Sequence, residues 1–428
     1  MNKKISNIFK GDKVVWIVFF FLCMISLVEV FSASSHLSYD NNYVMPMLRH
    51  AVMLLIGTFV AVVVLNVPCR YFKLLTVTLL AVSVITLLWV LVAGQNINGA
   101  QRMIPLFGIT FQPSEIAKGA VVLAVAQILG VMQHEKGADK MAFRYILIIT
   151  IPITFLILLE NLSTAVLLAF VVVLMMFVGR VPMVQLGKLF GVVLVIAALG
   201  LAFIFMAGSA DSAAKTADET DGKVVAEQVD NTTEKRKEGT LEKMFHRAST
   251  WKNRIEKFSD DKEVAPKDYD LDKDAQVAHA NIAIVSSNFI GKGPGNSVER
   301  DFLAQAFSDF IYAIIIEEMG ILGAAFVVFL YVILLFRAAR IASQCENNFP
   351  AFLVMGLAML LVVQATFNMM VAVGIVPVTG QPLPLISRGG TSTIINCAYI
   401  GAILSVSRSA KQRKRELEKQ SQTVNLAK

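Results

Sequence analysis

Apolar runs about as long as a bilayer is thick recur along the whole chain and leave little choice of fold. Ten are read as spans: Val14 to about Ser34, Met47 to Val67, Leu74 to Val92, Ser114 to Met132, Tyr145 to Leu159, Leu162 to Val178, Leu189 to Met206, Asp309 to about Leu335, Phe349 to Val373 and Thr391 to Ser407. In lipid every backbone polar group needs an internal partner, so such runs are helices. With 56% hydrophobic residues and a mean hydropathy of +0.63, no soluble core could hide this much apolar surface. The expectation is an all-α polytopic membrane protein with ten transmembrane helices. The first run, after Lys3, Lys4, Lys10 and Lys13, is too long for a signal-peptide core and lacks a convincing small-x-small cleavage site, so it is read as a retained span. The fifth is the shortest and ends at Glu160-Asn161, which predicts a tight outer hairpin with the sixth.

Orientation follows from the basic residues. With a cytoplasmic N-terminus, the inner segments hold Arg70, Lys73, Lys136, Lys140, Arg144, Arg180, Lys188, Arg337 and Arg340, besides the N-terminal lysines and the basic tail. The short outer loops hold only Arg49, Arg102 and Arg388. This predicts a cytoplasmic segment 1–13, spans one to seven in 14–206, a large extracytoplasmic loop 207–308, spans eight to ten in 309–407, and a cytoplasmic tail 408–428. The net charge of +7 is thereby explained by topology, and nucleic-acid binding is not implied. Cys23, Cys69, Cys345 and Cys397 lack metal spacing and a disulfide pattern. Within the large loop, Ser209 to Gly239 reads as a flexible linker. Leu241, Met244, Phe245, Ala248, Trp251, Ile255 and Phe258 then recur at helical spacing among basic residues, which predicts a helix lying on the outer membrane surface. Val277 to Ile290 is too short to span and is read as interfacial or re-entrant, so that the two stretches could roof a site over Asp309.

Chemistry is expected where polar residues meet these spans. The glycine-rich stretch Gly291, Gly293, Pro294, Gly295 leads through Arg300 and Asp301 to Asp309 at the mouth of the eighth span. From these residues alone, Asp309 is either a reactive carboxylate or a helix cap. Glu115 and Lys118, three apart, share a helix face and can neutralise each other. At least one of Glu317 and Glu318, about two turns beyond Asp309, is expected to point inward and need a basic or hydrogen-bonding partner. Glu29 poses the same problem in the first span, and all three are open to a structural or a functional reading. The loop Pro377 to Pro384 is too rich in proline to be helical, and Ser387-Arg388-Gly389-Gly390-Thr391-Ser392 follows it. Such a loop at membrane depth either makes a simple turn or lines a watery cavity, where N–H groups, hydroxyls and Arg388 could face an anion.

Three stretches together resemble the SEDS family (shape, elongation, division and sporulation) of peptidoglycan glycosyltransferases. They are Asn98 to Arg102 with Gln112 to Lys118, the Gly291 loop with Ser308-Asp309-Phe310-Ile311, and Pro377 to Ser392, in the family's order and spacing. The resemblance implies polymerisation of lipid II, the lipid-linked disaccharide-pentapeptide, on the outer face of the bacterial cytoplasmic (inner) membrane. Asp309 stands at the family's essential aspartate, and Arg102, Glu115 and Lys118 match its Arg, Glu and Lys positions. It implies Arg102, Gln112, Glu115, Lys118, Arg300, Ser387, Arg388, Thr391 and Ser392 as substrate-binding. The chain departs from the pattern at Ala304 (usually Pro), Phe307 (often His), Arg300 (Lys), Arg388 (Tyr) and Asn161 (commonly acidic). Phe307 cannot share a proton with Asp309 as a histidine would.

That reaction suits the location. Outside the membrane a glycosyl donor must carry its own leaving group, which a polyprenyl diphosphate does; the reaction needs a base near the attacking hydroxyl and positive charge near the diphosphate. Asp309, partly desolvated, would be the base; Arg102, Lys118, Arg300 and Arg388 are the candidate cations. No metal site is implied; a divalent cation, Mg2+ or Mn2+, is left open. The division type, working at the septum, is chosen over the elongation type from the Pro377 to Pro384 wording and the basic cytoplasmic ends. Such proteins work with a class B penicillin-binding transpeptidase and other divisome proteins among membrane lipids. A lipid II transporter is the second reading, against which stand the lack of an internal repeat and the outer-side grouping of the unusual residues. A scaffold without activity would leave Asp309 and the proline loop without a reason.

Overall fold

The computed structural model describes residues 10–34, 44–93, 95–97, 100–106, 109–135, 137–195, 198–200, 275–303 and 308–426. The chain divides into two compact units, 1–183 with 266–428, and 184–265. In the first lie α1 (Lys13–Ser34), α2 (Val44–Asn66), α3 (Cys69–Ala93), α4 (Pro113–Val131), α5 (Lys140–Glu160) and α6 (Leu162–Val178). The described residues of the second unit belong to α7 (Met183–Gly200). The first unit resumes with α8 (Ala275–Val285), α9 (Ile311–Ala342), α10 (Asn348–Ala372) and α11 (Thr391–Leu426). The linker 209–239 and the surface helix 241–258 expected from the sequence lie outside the described residues, as do Ala304 and Phe307.

Eight of the described helices, α1 to α5, α7, α9 and α10, are long and apolar enough to cross a membrane. The sixth run forms α6, apolar but 17 residues long, and the tenth opens α11, which continues as one 36-residue helix through the basic tail. The α4 window is 67% buried and the α10 window 61%, against 22% for α3. Hence α4 and α10 form the centre and α3 the rim, and polar groups on α4 or α10 must be satisfied by protein. The fifth helix is not short: it begins at Lys140, five residues before the apolar run, with Asp139 capping it by accepting from Met141 N at 2.7 Å. The predicted hairpin is present. Asn161 ends α5 and caps α6 by accepting from Ser163 N at 3.1 Å and Thr164 N at 3.4 Å.

The helical expectation holds, with two small sheets added. Between α3 and α4, β1 (Gln95–Ile97), β2 (Ala100–Leu106) and β3 (Ile109–Phe111) form a small antiparallel sheet, pairing Ile97 with Ala100 and Leu106 with Ile109. A second pair, β4 (Gln133–His134) and β5 (Gly137–Ala138), joins α4 to α5. Ahead of the first span, Asp12 caps α1 by accepting from Val14 N (2.9 Å) and Val15 N (3.2 Å), and pairs with Arg337 of α9 and Lys411 of α11. Burial pushes the Asp12 carboxyl up, but Arg337, the Val15 N–H and Lys411 outweigh it and hold it below its ordinary value.

Helix α9 has 32 residues, about 48 Å at the usual rise, well beyond the hydrocarbon thickness of ~30 Å. It is broken at Gly320, whose φ of 68° and ψ of −173° interrupt the ladder. A strap, residues 289–298, fills the break. Lys292 N donates to Glu317 O (3.0 Å), Gly293 N to Glu318 O (2.8 Å), and Leu322 N to Phe289 O (3.4 Å). Gly291, at φ +84°, lies so close that a Cβ there would stand 2.3 Å from Glu318 O and 2.4 Å from Gly320 N. Gly291→Ala is therefore expected to destabilise the protein by at least about 2 kcal/mol, through overpacking and a left-handed alanine. An unchanged melting temperature in detergent would contradict this account of the joint.

The two carboxylates beside the break are both fully buried and both partnered, where the sequence predicts at least one. Glu317 accepts from Lys292 Nζ at 2.6 Å, Val298 N at 3.1 Å and Ser297 Oγ at 2.5 Å. Glu318 accepts from Gly295 N at 3.0 Å, Ser297 N at 3.2 Å and the Ser32 hydroxyl of α1. Glu29, one turn before Ser32, is also fully buried, yet neither oxygen finds a hydrogen-bond donor among the described residues. The short helix α8 packs on α9, and its His279 Nδ1 meets Glu299 Oε2 at 2.7 Å, tying it to the 3-10 turn Glu299–Asp301.

Candidate active site

The prolines between α10 and α11 break the helical ladder, so side chains from three helices and a serine of the segment itself bond its backbone. Gln364 Nε2 of α10 donates to Pro382 O at 3.0 Å, and Asn368 Nδ2 to Gln381 O at 2.7 Å. The Tyr331 hydroxyl of α9 donates to Pro384 O, and Ser26 Oγ of α1 to Ile386 O at 2.6 Å. Gln381 Nε2 reaches Thr164 Oγ1 of α6 at 2.5 Å. Within the segment, Leu383 N donates to Ser387 Oγ at 2.8 Å. The inserted backbone holds Leu385 at φ +67°, uncommon for a branched side chain. The segment is buried in protein and is not a simple surface turn.

Asp309 sits where this loop meets α9. The N-cap of α9 is Phe310, and Asp309 stands one residue ahead of it. Half-buried, the Asp309 carboxylate accepts from Ser308 Oγ at 3.0 Å. Two other side chains hold the preceding backbone: Ser387 Oγ donates to Ser308 O at 2.6 Å, and Asn368 Nδ2 to Asp309 O at 2.9 Å. The turn that carries the carboxylate is thus joined directly to the loop that carries Arg388. A partly exposed carboxylate on a fixed turn can accept a proton from a hydroxyl brought to it.

Lys118, fully buried, lies 2.8 Å from Glu115 Oε1 and donates to Gln364 Oε1 at 2.6 Å. The carboxylate contact is an ion pair by distance, since neither Glu115 oxygen has an aligned donor among the described residues. Through Gln364 the pair is connected to Pro382 of the loop, two hydrogen bonds from the Asp309 side. Gln112, ahead of α4, donates from its backbone to Thr391 Oγ1 at 3.3 Å, bringing two more of the expected residues together; its amide donates to Ser114 Oγ at 3.1 Å. Ser392 is buried with its Oγ unpartnered among the described residues.

Half-buried Arg388 has its pKa lowered by burial and by the nearby Arg49 guanidinium, a crowding of positive charge that favours an anion beside them. Arg102 lies in β2, and its side chain is outside the described residues. Arg300 faces the strap: Nη1 donates to Gly295 O at 2.8 Å and Ser32 Oγ at 2.9 Å, with Glu318 Oε1 at 3.8 Å and Asp301 at 3.5 Å. Among the described residues no group of three or more His, Cys, Asp or Glu is placed to hold a metal ion. Gln364 and Asn368 went unnoticed in the sequence. Two amides four residues apart on one face of an apolar run were the available signal.

The profile of the cell cycle protein family FtsW/RodA/SpoVE matches residues 12–215 and 240–412. The chain is 28% identical over 408 residues to the probable peptidoglycan glycosyltransferase FtsW of Trichlorobacter lovleyi, covering 94% of both chains. It is 29% identical over 398 residues to the protein of that name from Hahella chejuensis, covering 91% of this chain and 88% of the relative. Among solved structures, the fold resembles the Thermus thermophilus rod shape determining protein RodA with a TM-score of 0.61 at 23% identity, covering 94% and 99% of the two chains. It also resembles a chain from work on polymerization and crosslinking by a peptidoglycan synthase complex, with a TM-score of 0.67 at 23% identity and the same coverage.

Proposed function

The chain belongs to the FtsW/RodA/SpoVE family of cell cycle proteins, and on that premise we propose that it is a peptidoglycan glycosyltransferase polymerising lipid II on the outer face of the cytoplasmic membrane. The observation that carries this reading is the half-buried Asp309, whose turn is held by Ser387 of the loop that presents Arg388, bonded to Ser308 O, and by Asn368 of α10, bonded to Asp309 O. Asp309 takes the proton of the attacking sugar hydroxyl, and Arg388, with Arg102 as the second cation, receives the diphosphate. Lys118 acts from further back, since its ammonium is already shared between Glu115 and Gln364. Gln112, Thr391 and Ser392 line the approach from the α4 and α11 side, and Arg300 supports the strap.

The division type at the septum is favoured over the elongation type by the FtsW name of the curated relatives. A class B penicillin-binding transpeptidase is the partner that such an activity calls for, because uncrosslinked strands make no wall; the synthase-complex neighbour supports it. Turnover of lipid II into glycan strands is the direct test of the reaction.

This reading also requires Asp309 to face outward with both termini inside, as the basic residues indicate. Tags at Thr220 or Glu234 are expected to react with membrane-impermeant reagents from outside, and tags after Ser421 are not. Labelling of the tail in intact spheroplasts would place Asp309 on the side where lipid II polymer is not made.

A further inference from the structure

Ser308 and Asp309 present two successive carbonyls that fall outside the α9 ladder, which begins where Ala313 N (2.9 Å) and Ile314 N (3.4 Å) donate to Phe310 O. Each takes a donor from a different element. Ser387 of the proline-rich loop donates to Ser308 O at 2.6 Å, and Asn368 of α10 donates to Asp309 O at 2.9 Å. Both side chains are committed. The Ser387 hydroxyl also accepts from Leu383 N at 2.8 Å, and the Asn368 amide nitrogen also donates to Gln381 O at 2.7 Å. Because both targets of Asn368 are carbonyl oxygens, the amide can present only its NH2 to them, so its orientation is settled by chemistry. Asn368 is 1% exposed and Ser387 2%. Neither is placed to touch a substrate, yet both grip the peptide units on either side of the Asp309 Cα.

We infer that Asn368 and Ser387 are paired positioning residues, a clamp on the Ser308 and Asp309 carbonyls that sets the direction of the Asp309 carboxylate relative to the Arg388 loop. The inference rests on the reading of Asp309 as the general base. The two bonds fix the peptide units on both sides of the Asp309 Cα and so restrict rotation about its φ and ψ. The clamp also gives the base and the anion-facing loop one common support: Asn368 holds Asp309 O with one N–H and Gln381 O with the other. A base displaced by about 1 Å loses on the order of 10²-fold in rate, so such a support is catalytically significant without touching the substrate.

The test uses the full-length protein in detergent, with its transpeptidase partner and fluorescent lipid II, and reads initial rates against substrate concentration. Asn368→Ala and Ser387→Ala are each expected to lower kcat about 10- to 100-fold with KM within about 2-fold, as for loss of an alignment needed only in the transition state. The double variant is expected to fall little below the worse single, because the two bonds hold one turn. Ser387→Thr, which keeps the hydroxyl, should recover most of the rate. Hydrogen exchange of peptides covering 308–316 should quicken in both alanine variants and stay unchanged in α4, which separates a local release from general loosening. Wild-type polymer with unaltered kcat in both alanine variants would remove the clamp alone, and so would a threonine variant no better than alanine. Absence of polymer from the wild type would instead remove the catalytic reading, and the positioning role with it.

Discussion

Asp309→Asn is expected to reduce lipid II polymerisation by about 10²- to 10⁴-fold, the contribution of a general base, while leaving the melting temperature nearly unchanged. Asparagine keeps the shape of the side chain and can still accept from the Ser308 hydroxyl, which lies 3.0 Å from Asp309 Oδ1. It also leaves the Asn368 and Ser387 bonds in place, because those end on backbone carbonyls. What it cannot do is accept the proton. The measurement is the initial rate beside the wild type, with a melt of each protein. A rate within a few-fold of wild type would show that the carboxylate is structural.

Lys118→Met is expected to lose about 3–5 kcal/mol of stability, the cost of leaving a buried carboxylate without its counter-ion. Glu115 is fully buried with no aligned hydrogen-bond donor among the described residues, so Lys118 at 2.8 Å is its compensation, and Gln364 would lose a donor as well. Glu115→Leu combined with Lys118→Met should recover most of the loss, since a well-packed apolar pair can replace a buried ion pair. Melting in detergent checks both. A single variant as stable as wild type would mean that Glu115 is satisfied in another way. The double variant, if folded, also decides what the sequence left open: activity makes the pair structural, and inactivity with intact folding gives Lys118 a part in handling the diphosphate.

Much of this architecture was legible because a bilayer imposes one length and one kind of backbone on every span. The Glu160-Asn161 hairpin followed from a polar pair between two apolar runs. The start of α5 did not, because Lys140 and Arg144 lower the apparent hydropathy while their helix simply continues past the lipid boundary. The small sheet was signalled and overlooked: Asn98-Gly99, a strong two-residue hairpin signal, stands between the paired Ile97 and Ala100. Asp309, the Arg388 loop and the Glu115–Lys118 pair were visible as polar groups out of place. What joins them was not, since the joints are contacts at long range. Gly320 reads as a tolerated helix glycine until Gly291, 29 positions earlier, is found against it. Gln364 and Asn368 announce only that something polar faces them, and the carbonyls they serve belong to Pro382, Gln381 and Asp309.

The most direct test of the account is the fate of lipid II given to the purified protein and its transpeptidase partner in detergent, where no membrane barrier exists and transport has no meaning. The account predicts glycan strands that a muramidase digests, formed by the wild type and lacking when Asp309 is replaced by asparagine. Lipid II left intact by a complex whose transpeptidase is verified as active would contradict it and favour the transporter, and equal ladders from both proteins would leave polymerisation standing without Asp309 as its base.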